Sequence, residues 1–267
     1  MGYGIETIAG RAVNPGAALP GAQLTNNTGS SFTVRETNND TPALLEAMWA
    51  KGATAGVFNI HSPRLHDNIT GLSFPVAVNT PIDFLAQSPA QPLVGNDQLL
   101  AFITGGAAET DCGYATIRYG DITGINAVIA TEAEITPRIQ NILTVRVTVA
   151  GAATVGDWSA GTAINATDDK LHADKQYAVL GMVPTNQVGA VAIQNADTGN
   201  LKIGMPGDAA ALAFDSRYYF LLQARASGLP WIPLIKANNK GSTLIFQCDN
   251  AAGASNDVFV VLAELSA

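Results

Sequence analysis

Histidine and cysteine are scarce in this sequence, three and two residues among 267, and only 13% of positions are charged. Each scarcity excludes something. A cupin-type metal enzyme needs histidines clustered on strands, and none of the three is so placed. Cys112 and Cys248 cannot form a disulfide framework. They read as one buried thiol in each half, with a disulfide between them left open. A Gly-x-Ser-x-Gly elbow and a P-loop are both missing, so neither of those chemistries is signalled. No apolar run approaches the roughly 20 residues of a membrane span. The start, Met1-Gly2-Tyr3-Gly4-Ile5-Glu6, lacks a basic region and an apolar core. No secretory signal is expected from it, and the chain should stay soluble in the cytoplasm or leave by lysis. The 14 basic residues are scattered under a net charge of −8, which argues against nonspecific nucleic-acid binding.

What the sequence does contain is apolar residues and turn formers: 47% hydrophobic, with 26 Gly and 13 Pro. That mixture is too apolar for disorder and too rich in turns for a helical bundle. A chain of this length can bury roughly three quarters of its unfolded surface without a metal or disulfide staple. Low charge and many small residues suit a protein whose outside is covered by copies of itself. They suit an ordinary soluble β protein equally.

The clearest stretch is the last. Ser242 to Cys248 alternates, with Leu244, Phe246 and Cys248 on one face and Thr243, Ile245 and Gln247 on the other, the period of a half-buried strand. Asp257 to Leu265 is apolar almost throughout and should be covered on both faces. A similar stretch runs from Gly95 to Tyr119. Ile142 to Val149 alternates cleanly, Leu143, Val145, Val147 and Val149 against Ile142, Thr144, Arg146 and Thr148. Further strands are expected at Ser31–Glu36, Thr54–Ile60, Leu72–Val78, Ile82–Ala86, Ala127–Thr131, Tyr177–Val183, Val188–Gln194, Leu201–Ile203, Arg217–Gln223 and Trp231–Ile235. One helix is expected. Asp40 or Thr41 would cap it, Pro42 would open it, Leu44, Leu45, Met48 and Trp49 would form its stripe, and Gly52 would end it. Residues 1–30, rich in Pro-Gly and Asn-Asn-Thr-Gly turns, read as an extended N-terminal arm.

Regular strands with one helix mean sandwiches or barrels. The segments also hint at duplication. Thr33-Val34-Arg35 recurs as Thr144-Val145-Arg146, Ala55–Phe58 resembles Tyr177–Leu180, and Leu100-Ala101-Phe102 matches Leu244-Ile245-Phe246. Order is kept while the offset grows, as insertion into the loops of a second copy would do. The expected fold is all-β, two tandem eight-stranded jelly rolls with one short helix. Residues 31–124 would form the first and 125–267 the second.

This pattern of strand pairs, small-residue loops and an N-terminal arm resembles the double jelly-roll major capsid proteins of tailless icosahedral double-stranded DNA viruses and phages. The resemblance covers most of the chain as a pattern and carries no signature motif. It implies a virion structural protein and not an enzyme, without cofactor. Three copies would form a trimer of hexagonal outline, and trimers an icosahedral shell. Partners would be further copies and other virion proteins, with no sequence-specific nucleic-acid binding. The family also allows an internal membrane beneath the shell. The protein would reside in the virion and, during assembly, in the host cytoplasm. The long loop from Ala150 to Lys175 would be a tower or an intersubunit contact. In it Trp158 is the candidate subunit contact, unless it folds back on its own sandwich. The alternative is a phage decoration or fibre protein, or a carbohydrate-binding sandwich, marked by exposed aromatics such as Tyr218, Tyr219 and Trp231.

Other polar groupings read as surface. His61, His66 and Asp67 share a loop but lack further ligands. Asp168, Asp169 and Asp174, or Asp249 with Asp257, lack calcium-loop spacing. Glu132 and Glu134 would share a face if extended, but no cleft accompanies them.

Overall fold

The computed structural model describes residues 3–26, 32–38, 41–62, 71–81, 90–122, 125, 127–209, 216–251 and 253–266. Its architecture is predominantly β, in four antiparallel sheets that fall into two pairs along the chain. The first half contributes β1 (Gly4–Val13), β2 (Ala22–Gln23), β3 (Phe32–Thr33), β4 (Ala43–Lys51), β5 (Gly56–His61), β6 (Leu72–Val76), β7 (Gln91–Leu93), β8 (Gln98–Ile103) and β9 (Thr110–Tyr119). The second contributes β10 (Ile129–Ala130), β11 (Ile139–Val149), β12 (Thr162–Ala163), β13 (Gln176–Pro184), β14 (Val188–Gln194), β15 (Ile203–Gly207), β16 (Ile232–Lys236), β17 (Leu244–Cys248) and β18 (Asn256–Leu265). Helices α1 (Glu132–Ile135) and α2 (Tyr219–Ser227) lie in the second half.

In the first half one sheet runs β1-β9-β4-β7 and the other β2-β8-β5-β6, with β3 added on β8. In the second the sheets run β11-β18-β13-β16, extended by β10, and β12-β17-β14-β15. Leave out β3 and β10 and number each half's strands from one. Both halves then read 1-8-3-6 in one sheet and 2-7-4-5 in the other. Each half closes over its own apolar cluster. Leu45, Met48, Phe58, Ile60, Ile103 and Ile117 fill the first, and Val145, Val147, Val179, Ile193, Ile245 and Val260 the second.

The segment expected to be a helix is a strand. Ala43–Lys51 pairs with β9 from Tyr119 to Cys112, with a bulge between Leu45 and Ala47. Leu45, Met48 and Ala50 enter the first core, while Ala47 and Trp49 face the second half. A strand dry on both faces shows no alternation, and its leucines and methionine then mimic a helical stripe; tertiary pairing overrides their propensity. Conversely, Arg217–Gln223, expected as a strand, lies across the start of α2. Tyr219, Phe220, Gln223 and Ala224 are its buried face, at helical spacing, and Gly228 ends it in the left-handed conformation with φ 68°.

The expected N-terminal arm is also corrected. Gly4–Val13 pairs residue for residue with β9 from Tyr119 to Thr110, so residues within 1–30 are part of the first sheet. Its turn formers lie after the strand, and that masked its apolar positions. Ser31 and residues 82–86 of the expected strands lie outside the described residues.

Candidate functional site: the contact between the two halves

Buried polar side chains meet where the halves touch, among them Thr7, Lys51, Thr116 and Arg118. Successive residues of a strand face opposite ways. Along β9, Asp111, Ala115, Ile117 and Tyr119 therefore point into the first half. Cys112, Tyr114, Thr116 and Arg118 point out, and all four are buried. What covers that face is the sheet of β14, β15 and β17. Ala9, Ala47, Trp49, Cys112 and Tyr114 from the first half form one cluster with Ala190 and Cys248 from the second, and Trp158 packs against it. The halves also exchange core residues. Ile5 of β1 belongs to the second half's cluster and Leu201 to the first's.

Polar groups in the contact are matched. Trp49 Nε1 donates to the Gly189 carbonyl at 2.9 Å, and its ring stacks on Tyr114 with centroids 5.2 Å apart. Thr7 and Thr116 share a hydroxyl hydrogen bond of 2.8 Å, and Gly204 N donates to Thr7 Oγ1 at 2.9 Å. Lys51 Nζ donates to Asp249 Oδ1 at 2.6 Å and to the Gln187 carbonyl at 3.2 Å. Arg11 pairs with Asp157 at 2.6 Å. On the same outward face Arg118 pairs with Glu46 at 2.5 Å, both almost fully buried. The sheets approach this closely because small residues line the seam. A Cβ on Gly189 would lie 2.0 Å from Tyr114 Oη, and one on Gly204 2.9 Å from Thr7.

Beside the seam lies a groove of about 750 Å³, lined by Glu6, Phe32, Arg35, Trp158, Lys202 and Phe246 among others. Arg35 holds Glu6 through two hydrogen bonds of 2.6 Å, and the ion pair raises the guanidinium's affinity for its proton. The Lys202 ammonium sits 4.8 Å above the Phe246 ring. Burial lowers the Lys202 pKa, with the Glu6 charge opposing.

A second polar cluster closes one end of the first half. Asp111 is fully buried; its Oδ1 accepts from Ala53 N at 3.2 Å, and Glu109 accepts from Thr54 Oγ1 at 2.5 Å and from Gly106 N. Burial pushes the Asp111 carboxyl up to about 7, the Ala53 hydrogen bond working against this and the Glu109 charge with it. Asp111 Oδ2 has no donor among the described residues. It faces another acceptor, and only a shared proton can join the two carboxyls.

The residues singled out in the sequence are scattered. Trp158 is half-buried, edge-on to Tyr114 with centroids 6.5 Å apart, in the contact between halves of its own chain. Its loop does not stand out as a tower there: Ser159 N donates to the Gln247 carbonyl at 2.8 Å and β12 joins β17. Tyr219 and Trp231 are buried together, centroids 6.4 Å apart, and do not form an exposed aromatic face. His61 is buried in β5, stacked on Phe102; His66 and Asp67 lie outside the described residues. Asp168 meets Lys170, Asp169 meets Lys240, and Asp174 accepts from Asn238. Asp257 accepts from Thr148 at 2.6 Å. Glu132 and Glu134 are not on an extended segment. They open α1, where Glu134 completes a capping box with Thr131 and Glu132 pairs with Arg225. Among the described residues no group of three or more His, Cys, Asp or Glu converges as a metal site, and no helix is long and apolar enough to cross a membrane.

Sequence reasoning did not find the seam. Its residues come from strands far apart in the chain, and the one local sign was apolar character on both faces of β4.

The sequence matches no protein-family model and no curated protein. Among solved structures it is similar to the PBSX exported protein XepA, over 86% of this chain and 84% of that one, at 9% identity and a TM-score of 0.22. It is similar to a chain of the Sulfolobus Turreted Icosahedral Virus structure, over 99% and 90%, at 11% identity and a TM-score of 0.20. A third is the conserved protein of unknown function PA5104 from Pseudomonas aeruginosa PAO1, over 99% and 100%, at 11% identity and a TM-score of 0.17. Likenesses of this size carry no argument about function.

Proposed function

We propose that this chain is a virion structural protein, a major capsid subunit built of two jelly rolls, forming pseudo-hexagonal trimers that tile an icosahedral shell. One observation carries the reading: the strand order 1-8-3-6 facing 2-7-4-5 occurs twice in one chain. That order is the two-Greek-key arrangement of a jelly roll. Two such boxes, joined side by side by a dry, hydrogen-bonded seam, make a rigid block with two similar outlines. Three blocks give six similar corners around a threefold axis, which is what hexagonal tiling needs. In this reading the chain is no enzyme, holds no cofactor, and meets copies of itself and other virion proteins. Trp158 then serves first as a wedge between the boxes, with only its free edge left for a neighbouring subunit.

The test is light scattering on the purified chain, followed by electron microscopy. A species three times the 27.6 kDa chain mass, hexagonal in projection, is expected. A monomer at high concentration that never forms trimers or shells overturns the reading. The alternative of a carbohydrate-binding sandwich rests on the groove, where the half-buried Trp158 lies beside Lys202 and Arg35. It predicts a monomer retarded in glycan affinity gels.

A further inference from the structure

The only two thiols of the chain meet at the seam. Cys112 is on β9 in the first half and Cys248 ends β17 in the second. Both are reduced and fully buried. They belong to one small buried cluster. Tyr114 Oη lies 3.6 Å from Cys248 Sγ, and a Cβ on Gly156 would sit 3.0 Å from Cys112 Sγ. Small neighbours, Ala9, Ala47 and Ala190, keep the two backbones close.

We propose that Cys112 and Cys248 are a modification site, a latent intrachain disulfide that locks the two halves together when the chain meets a small-molecule disulfide oxidant. The thiolate of one cysteine attacks the oxidant's S–S bond and releases one of its thiols, leaving a mixed disulfide. The other cysteine's thiolate then attacks the protein sulfur of that bond and releases the second thiol. In total two S–H bonds and the oxidant's S–S bond are lost. One protein S–S bond and two small thiols form, with two electrons passed to the oxidant.

The seam also sets when this happens. The neighbouring Cys248 and burial both push the Cys112 thiol's ionisation up, so little thiolate is present in the docked state. Neither sulfur is exposed to an attacking disulfide. Oxidation must therefore occur while the halves are parted, in a transient opening of the seam. Once closed, the bond ties residues 136 positions apart (248 − 112) and constrains the unfolded chain. This inference does not depend on the assembly reading, since it concerns one chain alone.

The test exposes the full chain to oxidised glutathione across a series of sub-denaturing urea concentrations, then traps free thiols with N-ethylmaleimide. Intact mass and peptide mapping follow without reduction. The expected product has lost the mass of two hydrogens, carries no glutathione, and yields a Cys112–Cys248 cross-linked peptide. Its urea midpoint is raised, and dithiothreitol reverses the rise. Cys112→Ser and Cys248→Ser should each retain a single glutathione and show no rise. The wild-type map decides the matter if a buried serine prevents either variant from folding. Two glutathiones on one wild-type chain overturns the proposal. So does a chain left unmodified at every urea concentration below global unfolding, or a cross-link that leaves the midpoint unchanged.

Discussion

Replacing Asp249 by alanine should unfasten the seam more than removing its partner, Lys51. The asymmetry follows from how each is satisfied. Asp249 Oδ1 accepts from Lys51 Nζ at 2.6 Å, from Gly189 N at 3.1 Å and from Asn250 N at 2.9 Å. The Lys51 side chain is 7% exposed, and its other acceptor in the contact is the Gln187 carbonyl. Asp249→Ala therefore leaves a buried ammonium nearly uncompensated and strips Gly189 N of its acceptor, at a cost of about 3–5 kcal/mol. Lys51→Met keeps the stem's packing. It leaves a carboxylate that is 20% exposed and still bonded by two backbone N–H groups, for about 1–2 kcal/mol. In the double variant methionine has no charge to strand. Its loss should resemble that of Lys51→Met, so the interaction energy should match the whole Asp249→Ala loss, about 3–5 kcal/mol. Urea unfolding followed by tryptophan fluorescence suits the measurement, because Trp49 and Trp158 lie at the seam while Trp231 lies in the second core. Additivity within about 0.5 kcal/mol would refute the reasoning. So would a larger loss from Lys51→Met than from Asp249→Ala.

Asp111 gives a pH prediction. Its folded pKa is raised to about 7 from an ordinary 3.8, so the folded chain holds a proton that the unfolded chain releases. Its contribution to stability should be greatest below the ordinary value and fall as pH rises toward 7, then level off. Asp111→Asn should flatten melting temperature against pH over that window, and an unchanged slope would contradict the assignment. Gly189→Ala drives a methyl into Tyr114, which stacking on Trp49 keeps from swinging away. It should cost about 1–3 kcal/mol. Tyr114→Phe in the same chain should recover part of that loss in a thermal melt, and no recovery would mean the clash is relieved elsewhere.

Residue order alone fixed the β class and many of the strands. Leu143, Val145, Val147 and Val149 alternate in the sequence, and in β11 all four turn inward while Thr144, Arg146 and Thr148 stay exposed. A strand with one wet face writes its environment into its own period. The match of Phe102 with Phe246 also falls on β8 and β17, which hold the same seventh rank in the two halves. Of the other two matches, one pairs β3, which that numbering leaves out, with β11, and one pairs β5, the fourth strand, with β13, the third, because short words recur in any β protein. The tertiary structure decided whatever depended on a second dry face. The Leu244, Phe246 and Cys248 face of β17 includes residues that look half-wet in sequence yet are buried at the seam. Ala43–Lys51 has a helix-like pattern because both of its faces are dry, one against its own core and one against the other half. Beyond the two dry faces of β4, neither the seam nor the meeting of Cys112 with Cys248 has a local signal. Burial that is completed by residues over a hundred positions away leaves no period in the segment it covers.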